Sequence, residues 1–108
     1  MPKFLAIYTG VPGTAPPDRE VMAKGGQAWG AWMQRNAAHI ADPGGPLGKT
    51  LRVSSSGVAS ASNTMSACTI IEAPDQETAA RLFENHPHFA IFPGDGVDIM
   101  PILPIPTF

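Results

Sequence analysis

The chain has 108 residues, of which 44% are hydrophobic and 15% charged, with a formal net charge of −2. Charged residues make up about a quarter of an ordinary globular chain, so a surface this poor in charge points to an area that faces another protein. The absence of a Lys/Arg cluster argues against a nucleic-acid partner, no stretch approaches the roughly 20 apolar residues of a membrane span, and a single cysteine, Cys68, excludes a disulfide framework.

This length fits one domain over residues 1–108. Area scaling gives about 5,700 Å² exposed when folded against about 16,000 Å² unfolded, a real but modest core that a second subunit would help to close. The opening run MPKFLAIYTG is too short for a signal h-region and ends in no small-residue cleavage site. With the lone cysteine, this leads to the expectation of a cytoplasmic protein.

Residues 3–8, KFLAIY, form an unbroken apolar run that predicts a buried strand. Residues 9–17, TGVPGTAPP, read as a loop. Asp18 is placed to cap a helix, its carboxylate accepting a backbone N–H of the first turn. Met22, Gly25, Gly26, Trp29, Trp32, Met33 and Asn36 then recur at three- and four-residue spacing and make one helical stripe. Each of the two glycines costs about 1 kcal/mol relative to alanine inside a helix. The favoured reading is that they let the helix lie close against a sheet; on an exposed side they would only weaken it.

Residues 38–47, AHIADPGGPL, are dense in turn chemistry and read as a loop. Residues 49–54, KTLRVS, read as a strand, with VASAS pairing back on it after a turn at Ser55-Ser56-Gly57. Residues 66–73, SACTIIEA, are the clearest internal strand. Pro74 and Asp75 open a second helix over 75–85, and Glu77 suits its positive end. HPHFAIFPGDG reads as irregular, with Gly94-Asp95-Gly96 as a turn. Residues 97–103, VDIMPIL, read as the last strand, an edge strand or one ending at Pro101, because proline cannot donate to a ladder. The apolar, proline-spaced tail PILPIPTF is expected to be extended, with a partner subunit as its candidate resting place.

The order strand, helix, strand, strand, helix, strand is that of the split βαβ, or ferredoxin-like, fold. The expected class is α+β: a βαββαβ chain with a four-stranded antiparallel sheet and room for an extra hairpin near residues 50–62. Helices would cover one face of the sheet, and a second copy could cover the other.

KFLAIY, AWGAWMQ, ADPGGPLGKT, SACTIIEAPDQETAARLFENHPHF and VDIMPI, taken in order over most of the chain, resemble the YCII-related, or DGPF-domain, family. The resemblance implies a ferredoxin-like dimeric α/β barrel. Some members of that family look like small enzymes with a histidine–aspartate pair in a cleft, and others are thought to be ligand-binding modules. On this resemblance Asp42 matches the loop aspartate of the D-P-G pattern, and His86-Pro87 matches the helix-end pattern. The chain departs from the family where the DGPF segment would lie, reading SASNTMS, and Trp29 stands where enzyme-like members often carry a histidine.

His86 and His88 flank Pro87. Histidine trades a proton near neutral pH and is the natural acid or base, with Asp42 as the partner to test for His86. The bland alternatives are that His86 ends the second helix on its last carbonyls and that Asp42 closes its own turn. His39, just past the first helix, and Arg52, on the second strand, are ligand-binding candidates, as is His88. Trp29 and Trp32 are read first as core residues, and alternatively as walls of a cleft against which an aromatic ligand would stack. His86-x-His88 has a chelate spacing but lacks a second Cys/His cluster, so no metal is expected. No nucleotide, dinucleotide, serine-hydrolase or zincin motif occurs, and no cofactor is expected.

The expected function is therefore a homodimeric YCII-like α/β barrel that binds a small organic molecule in a cleft. The alternatives are a cofactor-free lyase, isomerase or hydrolase using His86 and Asp42, and a regulatory interaction module without a ligand site.

Overall fold

The computed structural model of the chain describes residues 1–11 and 15–107. β1 (Lys3–Gly10) is followed by α1 (Arg19–Arg35), a single 3-10 turn over Ala37–His39, β2 (Ile40–Pro46), β3 (Thr50–Ser54), β4 (Gly57–Ala61), β5 (Met65–Glu72), α2 (Gln76–Arg81), α3 (Pro87–Ala90) and β6 (Gly94–Pro101). The main sheet has the order β2-β5-β1-β6 and is antiparallel throughout. That is the ferredoxin-like arrangement expected from the element order. β3 and β4 form a separate two-stranded hairpin.

The apolar run of β1 takes the sheet interior because it can pair on both edges, with β5 and with β6. Its even residues Phe4, Ala6 and Tyr8 are buried beneath the helices with Ile71, Ala73, Trp32, Ala79 and Phe83. Its odd residues Leu5 and Ile7 lie on the other face, opposite Ile70 and Cys68 on β5 and Met100 and Asp98 on β6. Those apolar side chains are only half covered, and Met100 is exposed. An unbroken apolar strand thus serves a sheet that this chain covers on one side.

Both helix caps form as the sequence requires. The Asp18 carboxylate accepts the Val21 N–H at 2.9 Å, and that of Asp75 accepts the Thr78 N–H at 2.7 Å. The two helix glycines divide. Gly25 is buried and a Cβ there would overlap the Phe92 ring, whereas Gly26 is exposed with open space around it. Close approach explains the first, and the second lines a cleft.

Several segments differ from the sequence reading. Residues 40–46 form β2, an edge strand, where turn composition pointed to a loop. Pairing with β5 overrides that composition, and the cost appears as breaks in register at Asp42 and Gly45. Gly44 takes the bulge at φ 61°, a region open to glycine, and Pro43 is tolerated on an edge. Residues 50–54 are a strand, but one outside the main sheet. VASAS does pair back on it as β4, and the hairpin is exposed along nearly its whole length.

The second helix ends at Arg81 and loosens into tight turns, with Phe83 and Glu84 donating to carbonyls three residues back. Asn85, at φ 56°, then ends the path. HPHFA is a short helix, α3, not irregular chain. Pro87 suits its first position, and the His86 side chain caps it by accepting the His88 N–H at 3.0 Å. So His86 begins a helix instead of finishing the previous one. Gly94-Asp95-Gly96 opens β6 and is not a turn. β6 is an edge strand that ends at Pro101, and the apolar residues Ile102, Leu103 and Ile105 beyond it are exposed. Of the loop expected over 9–17, residues 12–14 lie outside the described residues. Thr9 and Gly10 belong to β1.

The molecule measures 50 × 37 × 18 Å, and its thin dimension matches one helix layer on one sheet, a helix with side chains being about 10–12 Å across. The radius of gyration is 15.6 Å, against about 13 Å for a compact chain of this length. No helix among the described residues is long and apolar enough to cross a membrane.

Candidate functional site

A cleft of about 990 Å³ opens between α1, the end of β1, the end of β2, the first half of β5 and the segment from α3 to β6. Its volume lies at the upper end of the roughly 300–1,000 Å³ of small-molecule pockets. Met22, Trp29, Met33 and Phe92 supply apolar walls, and Tyr8, Thr69 and His88 supply polar groups. The described lining carries no Asp, Glu, Lys or Arg.

The floor is a ladder of hydrogen bonds. Nδ1 of His86 accepts the His88 N–H, so the neutral ring carries its proton on Nε2, which faces the Tyr8 hydroxyl at 3.3 Å. Beside the phenol, the Thr69 hydroxyl donates to the Pro43 carbonyl at 3.2 Å. His86 is fully buried. Burial, and then the neighbouring His88, pull its pKa down to about 4, so at neutral pH it is an uncharged donor. Burial raises the Tyr8 phenol to about 12; the Thr69 hydrogen bond opposes the rise and Cys68 adds to it. Tyr8 therefore stays protonated.

Aromatic rings enclose this ladder. Trp29 lies 4.9 Å from Tyr8 and meets His86 edge-on at 4.5 Å, and Trp32 meets His86 at 4.6 Å. The two tryptophans have different jobs. Trp32 is 2% exposed and donates its indole N–H to the Leu82 carbonyl at 2.8 Å, a core role that ties α1 to the end of α2. Trp29 is half-buried and forms a cleft wall.

His88 is mostly buried but borders the cleft, with Nε2 2.6 Å from the Thr9 carbonyl. Gly94 makes room for it, since a Cβ there would overlap the His88 carbonyl and imidazole.

The remaining residues expected at a site lie elsewhere. Asp42 is exposed and its carboxylate accepts the Gly44 N–H at 2.9 Å, closing its own turn. His86 and Asp42 share no hydrogen bond, because both ring nitrogens of His86 face Tyr8 and the His88 amide. His39 holds the Glu72 carbonyl through Nδ1 at 2.9 Å and pins the 3-10 turn to β5. Arg52 is exposed on the β3–β4 hairpin. None of Asp42, His39 and Arg52 lines the cleft. Among the described residues, no group of three His, Cys, Asp or Glu is placed to hold a metal ion.

The sequence reading did not single out Tyr8, Thr69 or Phe92. A signal for Tyr8 existed: a tyrosine inside an apolar strand needs a partner for its hydroxyl, and the two histidines were the available ring donors.

Fold and site together define a ferredoxin-like α+β protein with an aromatic-walled cleft of small-molecule size. No protein-family model matches the chain, and no curated protein matches its sequence. Among solved structures, the chain is similar to 5-chloro-2-hydroxyhydroquinone dehydrochlorinase (TftG) from Burkholderia phenoliruptrix AC1100, in complex with 2,5-dihydroxybenzoquinone. The two are 21% identical, the alignment covers 90% of this chain and 89% of that chain, and the TM-score is 0.56. At that identity the likeness establishes the fold.

Proposed function

We propose that this protein is a homodimeric α/β barrel that binds a small, flat, oxygenated organic ring in the cleft beside Trp29. The observation that carries the reading is the lining itself: an apolar, aromatic wall over a few fixed polar groups, with no formal charge among the described lining residues. Such a cleft disfavours phosphates and polycarboxylates, whose desolvation it could not offset. The likeness to a dehydrochlorinase holding a dihydroxybenzoquinone supports the same ligand class.

A dimer is supported by area and shape. The accessible surface of 7566 Å² exceeds by about 1,900 Å² the roughly 5,700 Å² expected of a compact monomer of this mass. A standard interface removes about 800 Å² per partner. Leu5, Ile7, Ile70 and Met100 make the face of the sheet opposite the helices apolar, which suits a second copy. The reading assigns no acid–base step to His86 and Asp42, whose polar atoms are engaged as described.

Calorimetric titration with 2,5-dihydroxybenzoquinone and hydroquinone tests the ligand, and analytical ultracentrifugation at micromolar concentration tests the dimer. Binding by the native protein and its loss in Trp29→Ala are expected, with twice the chain mass in solution. Absence of binding by both compounds at millimolar concentration removes the ligand reading. A folded monomer removes the dimer.

A further inference from the structure

We infer that the cleft recognises a conjugated hydroxy-carbonyl ring through two specific atoms, Nδ1 of His88 as hydrogen-bond acceptor and Nε1–H of Trp29 as donor. The inference rests on the small-ligand reading above and adds which polar groups the ligand must carry.

Every enclosed side-chain nitrogen and oxygen among the described residues has a hydrogen-bond partner. Nδ1 of His88 and Nε1 of Trp29 have none among the described residues, although neither residue is exposed. Both atoms must therefore reach open space, and the open space that both residues border is the cleft. A ligand that displaces water from them has to replace those hydrogen bonds, or two polar atoms are left unmade in a mostly apolar site.

The polarity of the His88 nitrogen follows from its other end. A carbonyl only accepts, so the 2.6 Å contact between Nε2 and the Thr9 carbonyl places the proton on Nε2. In the neutral ring Nδ1 is then a lone pair, which fits a ligand hydroxyl and rejects an ether. Gly94 packs against the Nε2 edge, and the His86 imidazole holds the His88 backbone amide, so the ring is fixed in place. Tyr8 and His86 lie against His88, and the described lining of the cleft carries no carboxylate.

Indole Nε1–H is only a donor, and it fits a carbonyl or quinone oxygen. The rings of Trp29 and His88 lie 6.1 Å apart and nearly perpendicular. One planar ligand can therefore stack near one ring and meet the other with its edge. The polar atoms already saturated in the floor, on His86, Tyr8 and Thr69, hold this pair in position without competing for the ligand.

The test uses three probes on the native protein: 4-hydroxyacetophenone, 4-methoxyacetophenone and 4-ethylphenol. It is run at a pH that keeps the phenols protonated. Loss of one hydrogen bond to a buried polar atom corresponds to about tenfold in affinity. The hydroxy-ketone should bind about tenfold tighter than the ether, which lacks the hydroxyl, and about tenfold tighter than the phenol, which lacks the carbonyl. The preference over the ether should vanish in His88→Leu, which carries no acceptor, and that over the phenol in Trp29→Phe, each leaving the other preference intact. Nitrogen-15 shifts of the His88 ring in the unmodified protein serve as a second measure if a variant fails to fold: Nδ1 should move on adding the hydroxy-ketone and stay still with the ether. Equal binding of all three probes overturns the inference while leaving the small-ligand reading in place. Binding of none overturns both.

Discussion

Acid should unfold this protein through His86. Its folded pKa of about 4 lies below the ordinary histidine value of 6.5. Above pH 6.5 the ring is neutral in both states and contributes no pH dependence. Below 6.5 the unfolded chain takes up a proton that the buried ring refuses, so stability falls as pH falls, and the loss levels off below about pH 4. Each pKa unit is worth about 1.4 kcal/mol, so the full loss is about 3.5 kcal/mol, with a maximum slope of about 1.2 kcal/mol per pH unit around pH 5. Urea unfolding at fixed protein concentration, at pH 7, 6, 5 and 4.5, measures it. His86→Gln keeps an N–H for Tyr8 but cannot titrate. Its absolute stability will be lower, and its slope should be flatter by most of that amount. Asp75, whose carboxylate is pulled down by the Thr78 N–H, loses its contribution only near and below the ordinary carboxylate range, outside the window used. If the native protein and His86→Gln lose stability in parallel from pH 7 to 4.5, the buried-neutral account of His86 is wrong.

Two glycine substitutions should move stability in opposite directions. Gly94→Ala drives a Cβ into the His88 carbonyl and imidazole and should cost about 1–3 kcal/mol, whereas Gly30→Ala, in a helix with open space around it, should add about 1 kcal/mol; thermal unfolding of the two variants reads both. Asp75→Ala removes the cap that accepts the Thr78 N–H and should lower urea stability by about 1 kcal/mol, with no effect on ligand titration because α2 does not border the cleft.

What the sequence made legible follows from how locally each signal acts. Asp18 and Asp75 were readable as caps because a carboxylate and an N–H three residues on are all the motif requires. β1 and β5 were readable because short, largely apolar runs between breakers have few other uses. β2 was not. Ile40–Pro46 is a strand only because β5 presents an edge beside it, and its own Asp42-Pro43-Gly44 describes the bulge more faithfully than the strand. The error carried forward: with 40–46 read as a loop, KTLRVS looked like the missing sheet strand, though its exposed Leu51 and Val53 (69% and 75%) belong to a projecting hairpin. The tryptophans show the same limit. Spacing placed both on one stripe, but only the Leu82 carbonyl, fifty residues away, assigns Trp32 to the core and leaves Trp29 at the cleft.

The two histidines divide for a similar reason. Pro87 fixes the first position of α3, and His86 before it keeps extended backbone as the cap. Both rings reach Tyr8, at 5.1 and 5.2 Å, and differ in what else holds them. His86 falls into the core and is held on both nitrogens, so its chemistry is consumed in positioning Tyr8 and the His88 amide. His88 is held on Nε2 alone and turns its other edge to the cleft. Histidine and aspartate together suggest a dyad in sequence, and in the fold the deep burial of His86 draws attention to it. A group that binds or moves a ligand proton must first have an atom free to meet it, and of the two rings that condition selects His88.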